Sequence, residues 1–182
     1  KSLYSVYDAL QIYVKSKPNA LIVDFFAGSG TTLHAVNLIN AEDNGQRRCI
    51  MVTNNEVSEK EAKILKNNGY SPGDTEWEKL GIARYVTWPR TVCSIIGQDV
   101  KGNSLSGDYG TYHEEYISDK QRGKYKKIKV PDNSRLAEMK MADGFKANVA
   151  YFKLGFLDKA SVRIGRQFRE MLPTLWMKAG CC

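Results

Sequence analysis

The residues best suited to chemistry in this sequence are Asp24-Phe25-Phe26-Ala27-Gly28-Ser29-Gly30-Thr31-Thr32. A carboxylate at the end of an apolar run can accept hydrogen bonds from a ligand's hydroxyl or cationic group, or oppose its charge. The glycines that follow remove Cβ atoms where the backbone must bend sharply, and they let a ligand approach the amides. Thr31 and Thr32 stand where a helix would begin and read as its caps. A G-x-G pair alone is equally the tight turn of any α/β protein, so the argument rests on the whole string.

The flanking segments position this turn. Ala20-Leu21-Ile22-Val23 reads as a short buried parallel strand, and Leu33 to Ile39 has helical apolar spacing. Strand, glycine turn and helix together make the entry of a nucleotide-binding βα unit. A dinucleotide fingerprint would need its third glycine where Leu33 stands, which argues against a nicotinamide enzyme. Upstream, apolar groups at 3, 6, 7, 10 and 14 form one helix face, ended by Lys17-Pro18-Asn19. Downstream, Asp43-Asn44-Gly45 turns into a second strand over 46–53. Ser58 and Glu61 open a helix through Lys66 with a capping box, and Asn67-Asn68-Gly69 closes it. Residues 74–84 predict another helix, joined at Trp88-Pro89-Arg90 to a segment through Ile96. Residues 97–110 read as loop or hairpin and 147–154 as a strand. Asp158 is positioned to cap a helix over 161–171, and Pro173 to begin or kink the last helical stretch.

The string from Asp24 to Thr32 resembles the cofactor motif of S-adenosylmethionine-dependent DNA methyltransferases of the amino-methylating kind. Their usual string has proline at the second position. Phe25 there is similar to the variant in modification subunits of type III restriction-modification systems. The likeness continues through Cys49-Ile50-Met51-Val52-Thr53-Asn54-Asn55-Glu56, Tyr85-Val86-Thr87-Trp88-Pro89-Arg90, and the stretch from Gly144 to Leu154. It is less clear over about 97–140.

The resemblance implies an α/β, Rossmann-like methyltransferase fold, partial, with an irregular basic insertion. Residues 1–96 would be the cofactor-binding part, 97–140 a basic loop or hairpin, and 141–182 the remaining strand and helices of the same domain. S-adenosylmethionine would lie against Asp24, Phe25, Phe26, Ala27, Gly28, Ser29 and Gly30. Glu56 would hold the ribose hydroxyls, with Asn54 and Asn55 as alternatives, because Glu56 stands beyond the usual interval of about 20 residues. Lys1 and Ser2 would lie near the methionine end. The partner would be DNA, and the methyl acceptor the exocyclic amine of adenine, with cytosine second.

Such enzymes also carry an Asp/Asn/Ser-Pro-Pro-aromatic tetrapeptide, whose polar groups hold the amine while its ring stacks on the extruded base. This sequence has 5 prolines, no two adjacent, and Thr87-Trp88-Pro89-Arg90 is a poor imitation. In a permuted class the catalytic half comes first. The expectation is therefore a carboxyl-terminal piece of a permuted enzyme, inactive alone, whose partner is the N-terminal catalytic half or a restriction subunit. The competing readings are a natural catalytically dead domain and a noncatalytic DNA-binding or assembly module.

A length of 182 residues, 42% hydrophobic and 26% charged, suits one globular domain with a substantial core. No apolar stretch approaches a membrane span and no signal peptide is evident, so the cytoplasm is the expected compartment. Cys49, Cys93, Cys181 and Cys182 have no zinc spacing, no metal is expected, and Cys49 reads as a small apolar strand residue. His34 reads as packed within its helix. The net charge of +7 suits a phosphate-rich partner. Residues 120–129 hold six basic groups and no acid, a solvated hairpin face or a DNA-backbone contact. Arg90 has two readings, a DNA contact or a brace of the fold.

Overall fold

The structure, a computed structural model, describes residues 2–119, 124–154, 159–165 and 167–180. The chain divides into two compact units, residues 1–148 and 149–182.

In the first unit, helix α1 (Leu3–Val14) buries Tyr7 and Val14 against helix α2 (Thr31–Asp43), whose Ala35, Leu38 and Ile39 are fully enclosed. This is the outcome of the 3.6-residue spacing of the apolar groups. Between the helices runs strand β1 (Leu21–Asp24), and after α2 comes strand β2 (Arg48–Met51). The strands pair in parallel, Leu21 opposite Arg48 and Asp24 opposite Met51. Helix α2 ends at Asn44, whose φ of 57° is left-handed, a conformation that asparagine tolerates better than most residues.

Arg47 ties the three elements together. Its side chain is 0% exposed and meets both carboxylate oxygens of Asp43 at 2.9 Å. It also donates to the carbonyls of Val14 (2.8 and 3.1 Å) and Lys15 (3.2 Å). The last carbonyls of a helix have no partners within it, so here a buried guanidinium supplies them.

β1 differs from its expectation. It is buried on one face only: Ile22 packs on the core, whereas Leu21 and Val23 are 51% and 45% exposed. On β2 and just beyond it, Ile50 and Val52 are also exposed. Among the described residues the parallel sheet has two strands, and both helices that cover it lie on the Ile22 side.

Helix α3 (Glu59–Asn67) begins at Ser58, whose Oγ accepts from the Glu61 amide, the first half of the expected capping box; the Glu61 carboxylate meets the Ser58 hydroxyl and not its backbone amide. The helix expected over 74–84 is split. Helix α4 (Thr75–Lys79) stops before Gly81, and a single π-helical turn, Ala83–Thr87, leads into helix α5 (Trp88–Ile96). Glycine is disfavoured within helices, and its lack of a side chain leaves room here for Asn55 to enter.

Strands β3 (Tyr112–Asp119) and β4 (Lys124–Pro131) form an antiparallel ribbon within the basic segment. Residues 120–123 of the expected basic run, Lys120 and Arg122 among them, lie outside the described residues. Lys127 pairs with Glu114 at 2.5 Å. Asn133 anchors the exit: its Oδ1 caps helix α6 (Ser134–Glu138), and its Nδ2 donates to Glu42 of α2 at 2.5 Å. Leu136, Tyr109 and Phe145 then complete the core.

The expected strand over 147–154 does not form. These residues have no regular secondary structure, and Tyr151, Phe152 and Leu154 are exposed. An apolar run becomes a strand only where a neighbour pairs with it. In the second unit the expected helix over 161–171 is instead two helices, α7 (Lys159–Arg163) and α8 (Phe168–Lys178), with Gly165 at φ 75° between them. Pro173 lies within α8, and Asp158, the expected cap, lies outside the described residues.

Candidate glycine-turn site

β1 delivers Asp24 to its carboxyl end, where the carboxylate organises the turn. Oδ1 accepts from the Phe26 amide at 2.9 Å, and Oδ2 accepts from the Thr32 hydroxyl at 2.5 Å. The expected helix caps are thereby corrected. The N-cap of α2 is Gly30, with no side-chain cap, and Thr32 serves the carboxylate instead. The backbone closes through the Val52 amide to the Asp24 carbonyl (2.7 Å), the Ala27 amide to the Val52 carbonyl (3.2 Å) and the Gly30 amide to the Ala27 carbonyl (2.9 Å).

Gly28 and Gly30 have φ of 52° and 78°, in the left-handed region that favours glycine. A Cβ on Gly30 would also lie 3.1 Å from Cγ2 of Thr87. Ala27 is buried, whereas Phe25 and Phe26 are 66% and 91% exposed beside it.

A second layer, from the π turn and α5, lies against the turn. Thr87 donates its hydroxyl to the Gly28 carbonyl. Arg90 Nη1 donates to Ser29 Oγ at 3.0 Å and lies 3.2 Å from Thr31 Oγ1. Of the two sequence readings of Arg90, the structure displays the brace.

The end of β2 is wired to the same layer. Asn55 Oδ1 accepts the amides of Ala83 (3.0 Å) and Arg84 (3.3 Å), and its Nδ2 donates to the Glu78 carbonyl (2.8 Å). Its amide is thus engaged by α4 and the π turn. Asn54 and Glu56 have exposed side chains, and the Glu56 carbonyl accepts from the Ile82 amide at 2.7 Å. Lys1 lies outside the described residues.

His34 and Cys49 are packing residues. His34 meets Tyr109 and Phe145 edge-on, and its Nε2 lies 3.1 Å from the Tyr109 hydroxyl. Burial, aided by the Arg90 charge, lowers its pKa to about 4. Burial and the Asp24 charge push the Cys49 thiol up to about 12, which makes it a poor nucleophile. The sequence had no signal for Thr87 as a partner of the turn, because a threonine 59 residues from Gly28 shares no local pattern with it.

No family model matches the chain. Short segments do match known methyltransferases. Over 40 residues, 22% of this chain, it is 55% identical to the Type II methyltransferase M.KpnI of Klebsiella pneumoniae, covering 10% of that protein. Over 56 residues, 31% of this chain, it is 45% identical to the Mod subunit of the StyLTI type III restriction-modification enzyme of Salmonella typhimurium, covering 8%. Over 62 residues, 34% of this chain, it is 40% identical to the EcoPI Mod subunit of Escherichia phage P1, covering 9%. The matched segments thus span a tenth or less of these relatives. The chain carries a methyltransferase-like region on a mixed α/β scaffold. No described helix is long and apolar enough to cross a membrane.

Proposed function

We propose that this chain is the cofactor-binding part of a site-specific DNA amino-methyltransferase with a partial, Rossmann-like fold of the permuted order. The observation that carries the reading is the turn from β1 to α2, where a carboxylate is held at the strand end beside two left-handed glycines. S-adenosylmethionine, when bound, supplies the methyl group. Asp24 opposes its positive methionine end, directly or through water. Each carboxylate oxygen has one donor within the turn and keeps acceptor capacity for another. Gly28, Ser29 and Gly30 bring backbone close to the ligand, and Phe25, Phe26 and Ala27 form the adjoining wall. Glu56 takes the ribose hydroxyls, with Asn54 as the alternative, since the Asn55 amide is engaged elsewhere.

The target is the exocyclic amine of adenine, with cytosine second, held by a catalytic half that bears the proline-containing tetrapeptide. The apolar face of Leu21, Val23, Ile50 and Val52 supports the reading, because parallel sheets are normally covered on both faces. This fragment alone is inactive. A restriction subunit is a further partner, and the cytoplasm is the compartment. The second reading, a noncatalytic DNA-binding or assembly module, is favoured by the lysines of β4.

Calorimetric titration with S-adenosylmethionine and S-adenosylhomocysteine tests the first reading. Saturable binding of either one is expected, and nicotinamide dinucleotide binding with equal affinity would overturn the assignment.

A further inference from the structure

The turn from Asp24 to Thr31 joins two rigid elements through two glycines, and its phenyl groups lie in solvent. Glycine gives up more conformational freedom on ordering than any other residue, so a turn of this kind holds one shape only when other groups fix it. Bonds inside the turn fix its beginning. Its middle, the Gly28 carbonyl and the Ser29 side chain, is held from outside by Thr87 and Arg90.

The π turn explains how Thr87 arrives there. π turns are rare and occur mostly as single turns. Here the Trp88 amide reaches back five residues to the Ala83 carbonyl. The next residue is Pro89, which has no amide hydrogen, so the change from π to α register orphans no donor at that position. At the other end, Asn55 accepts the first amides of the π turn, and Glu56 accepts from Ile82. A Cβ on Gly81 would fall 2.1 Å from the Asn55 side chain, so the bond network and the close packing require each other. One element therefore links the carboxyl ends of both parallel strands: Asn55 sets the π turn, and the π turn sets Thr87 against Gly28.

We propose that Thr87 and Arg90 are positioning residues that hold the glycine turn in its ligand-binding shape before any ligand arrives, with Asn55 as their anchor on β2. The ligand named here, S-adenosylmethionine, rests on the function proposed above; the clamp itself rests on the contacts. Neither residue touches the ligand in this account. Each acts through the turn, and a preordered turn avoids the ordering cost of binding.

Hydrogen exchange of the ligand-free chain, followed residue by residue, tests the clamp in the wild type, Thr87→Val, Thr87→Ser and Arg90→Gln. In Thr87→Val and Arg90→Gln, amides 28–31 should exchange roughly 10-fold faster, the size of one lost hydrogen bond, while Leu38 and Ile39 in α2 keep their protection. Thr87→Ser, which keeps the hydroxyl, should exchange as the wild type does. S-adenosylhomocysteine affinity should fall by a similar factor in the first two variants and hold in the third. Unchanged exchange at 28–31 would overturn the clamp, and so would faster exchange at Leu38 and Ile39 to the same extent, which would mark a general loss of stability. If the wild type binds no S-adenosylhomocysteine, the cofactor assignment fails while the exchange rates still decide the clamp.

Discussion

Arg47 grips Asp43 through both carboxylate oxygens and, with the same guanidinium, closes the carbonyl end of α1. Because the arginine is fully enclosed and the aspartate partly exposed, removing one partner leaves groups that water reaches poorly. Arg47→Ala should destabilise the first unit by about 2–3 kcal/mol, below the upper values for a buried pair. Arg47→Lys should recover only part of this, since an ammonium cannot span both oxygens and the carbonyls. Urea denaturation of the three proteins measures the order.

The same pair sets an acid limit. Burial pulls the Asp43 carboxyl upward, but hydrogen bonds from Arg47 and the Gly45 amide, with the Arg47 charge, hold it below its usual value of 3.8. A depressed carboxylate stabilises the fold above its unfolded pKa and loses that contribution as pH falls through the folded one. Stability attributable to Asp43 should therefore be flat above about pH 5 and fall below about pH 4, and Asp43→Asn should remove this component of the pH slope.

His34 acts at higher pH. Its folded pKa, about 4, lies below the ordinary 6.5, so between these values the unfolded chain takes up a proton that the folded chain refuses. The neutral ring's contribution is complete above 6.5 and diminishes as pH falls toward 4, by on the order of 2–3 kcal/mol. Thermal melts from pH 7 to 4.5 should show this slope in the wild type and lose most of it in His34→Phe, whose ring keeps the contacts with Tyr109 and Phe145.

Asp24→Ala removes the acceptor for both Phe26 and Thr32 and, in the function proposed above, the charge that faces the ligand. S-adenosylmethionine should bind more weakly by roughly 1–3 kcal/mol. Asp24→Asn should fall between, because an amide oxygen can still accept from one turn donor. Equal affinity of Asp24→Ala and the wild type would place the ligand elsewhere.

No methyl group should pass to duplex DNA from the isolated chain, because no adjacent prolines exist to hold an amine. Labelled methyl incorporation above a Gly28→Asp control would show a catalytic site that this reading lacks.

For the ribbon, charge reversal at Lys124, Lys126 and Lys127 should weaken duplex binding equally across sequences and flatten the log–log salt slope by up to roughly 0.9 per lost phosphate contact. Glu114 partly neutralises Lys127 at present. Glu114→Gln should therefore strengthen binding and steepen the slope. An unchanged slope in both variants would leave the lysines a solvating role alone.

What could be read from the sequence was local. The strand, turn and helix around Asp24, the box from Ser58 to Glu61 and the stop at Pro18 each depend on neighbours a few residues away. The rest depended on distant partners. Nothing around Leu21 or Val23 discloses that one face of β1 lacks cover, since a continuous apolar run fits either burial. Asn55 read as a ribose candidate because its partners at Glu78 and Ala83 lie 23 and 28 residues on. The apolar run over 147–154 had the composition of a strand, but among the described residues it joins no β-ladder. The split at Gly81 required knowing that another side chain occupies the space beside it.

The ribbon has one more consequence. β3 carries Glu114, Glu115 and Asp119, and β4 carries Lys124, Lys126, Lys127 and Lys129. Glu114 stands opposite Lys129 and is paired with Lys127, and strand side chains alternate between faces, so these three charges share one face of the ribbon. An anion that takes up Lys127 must displace a carboxylate already seated there, so at this point the ribbon exchanges one counter-charge for another instead of presenting a bare cation.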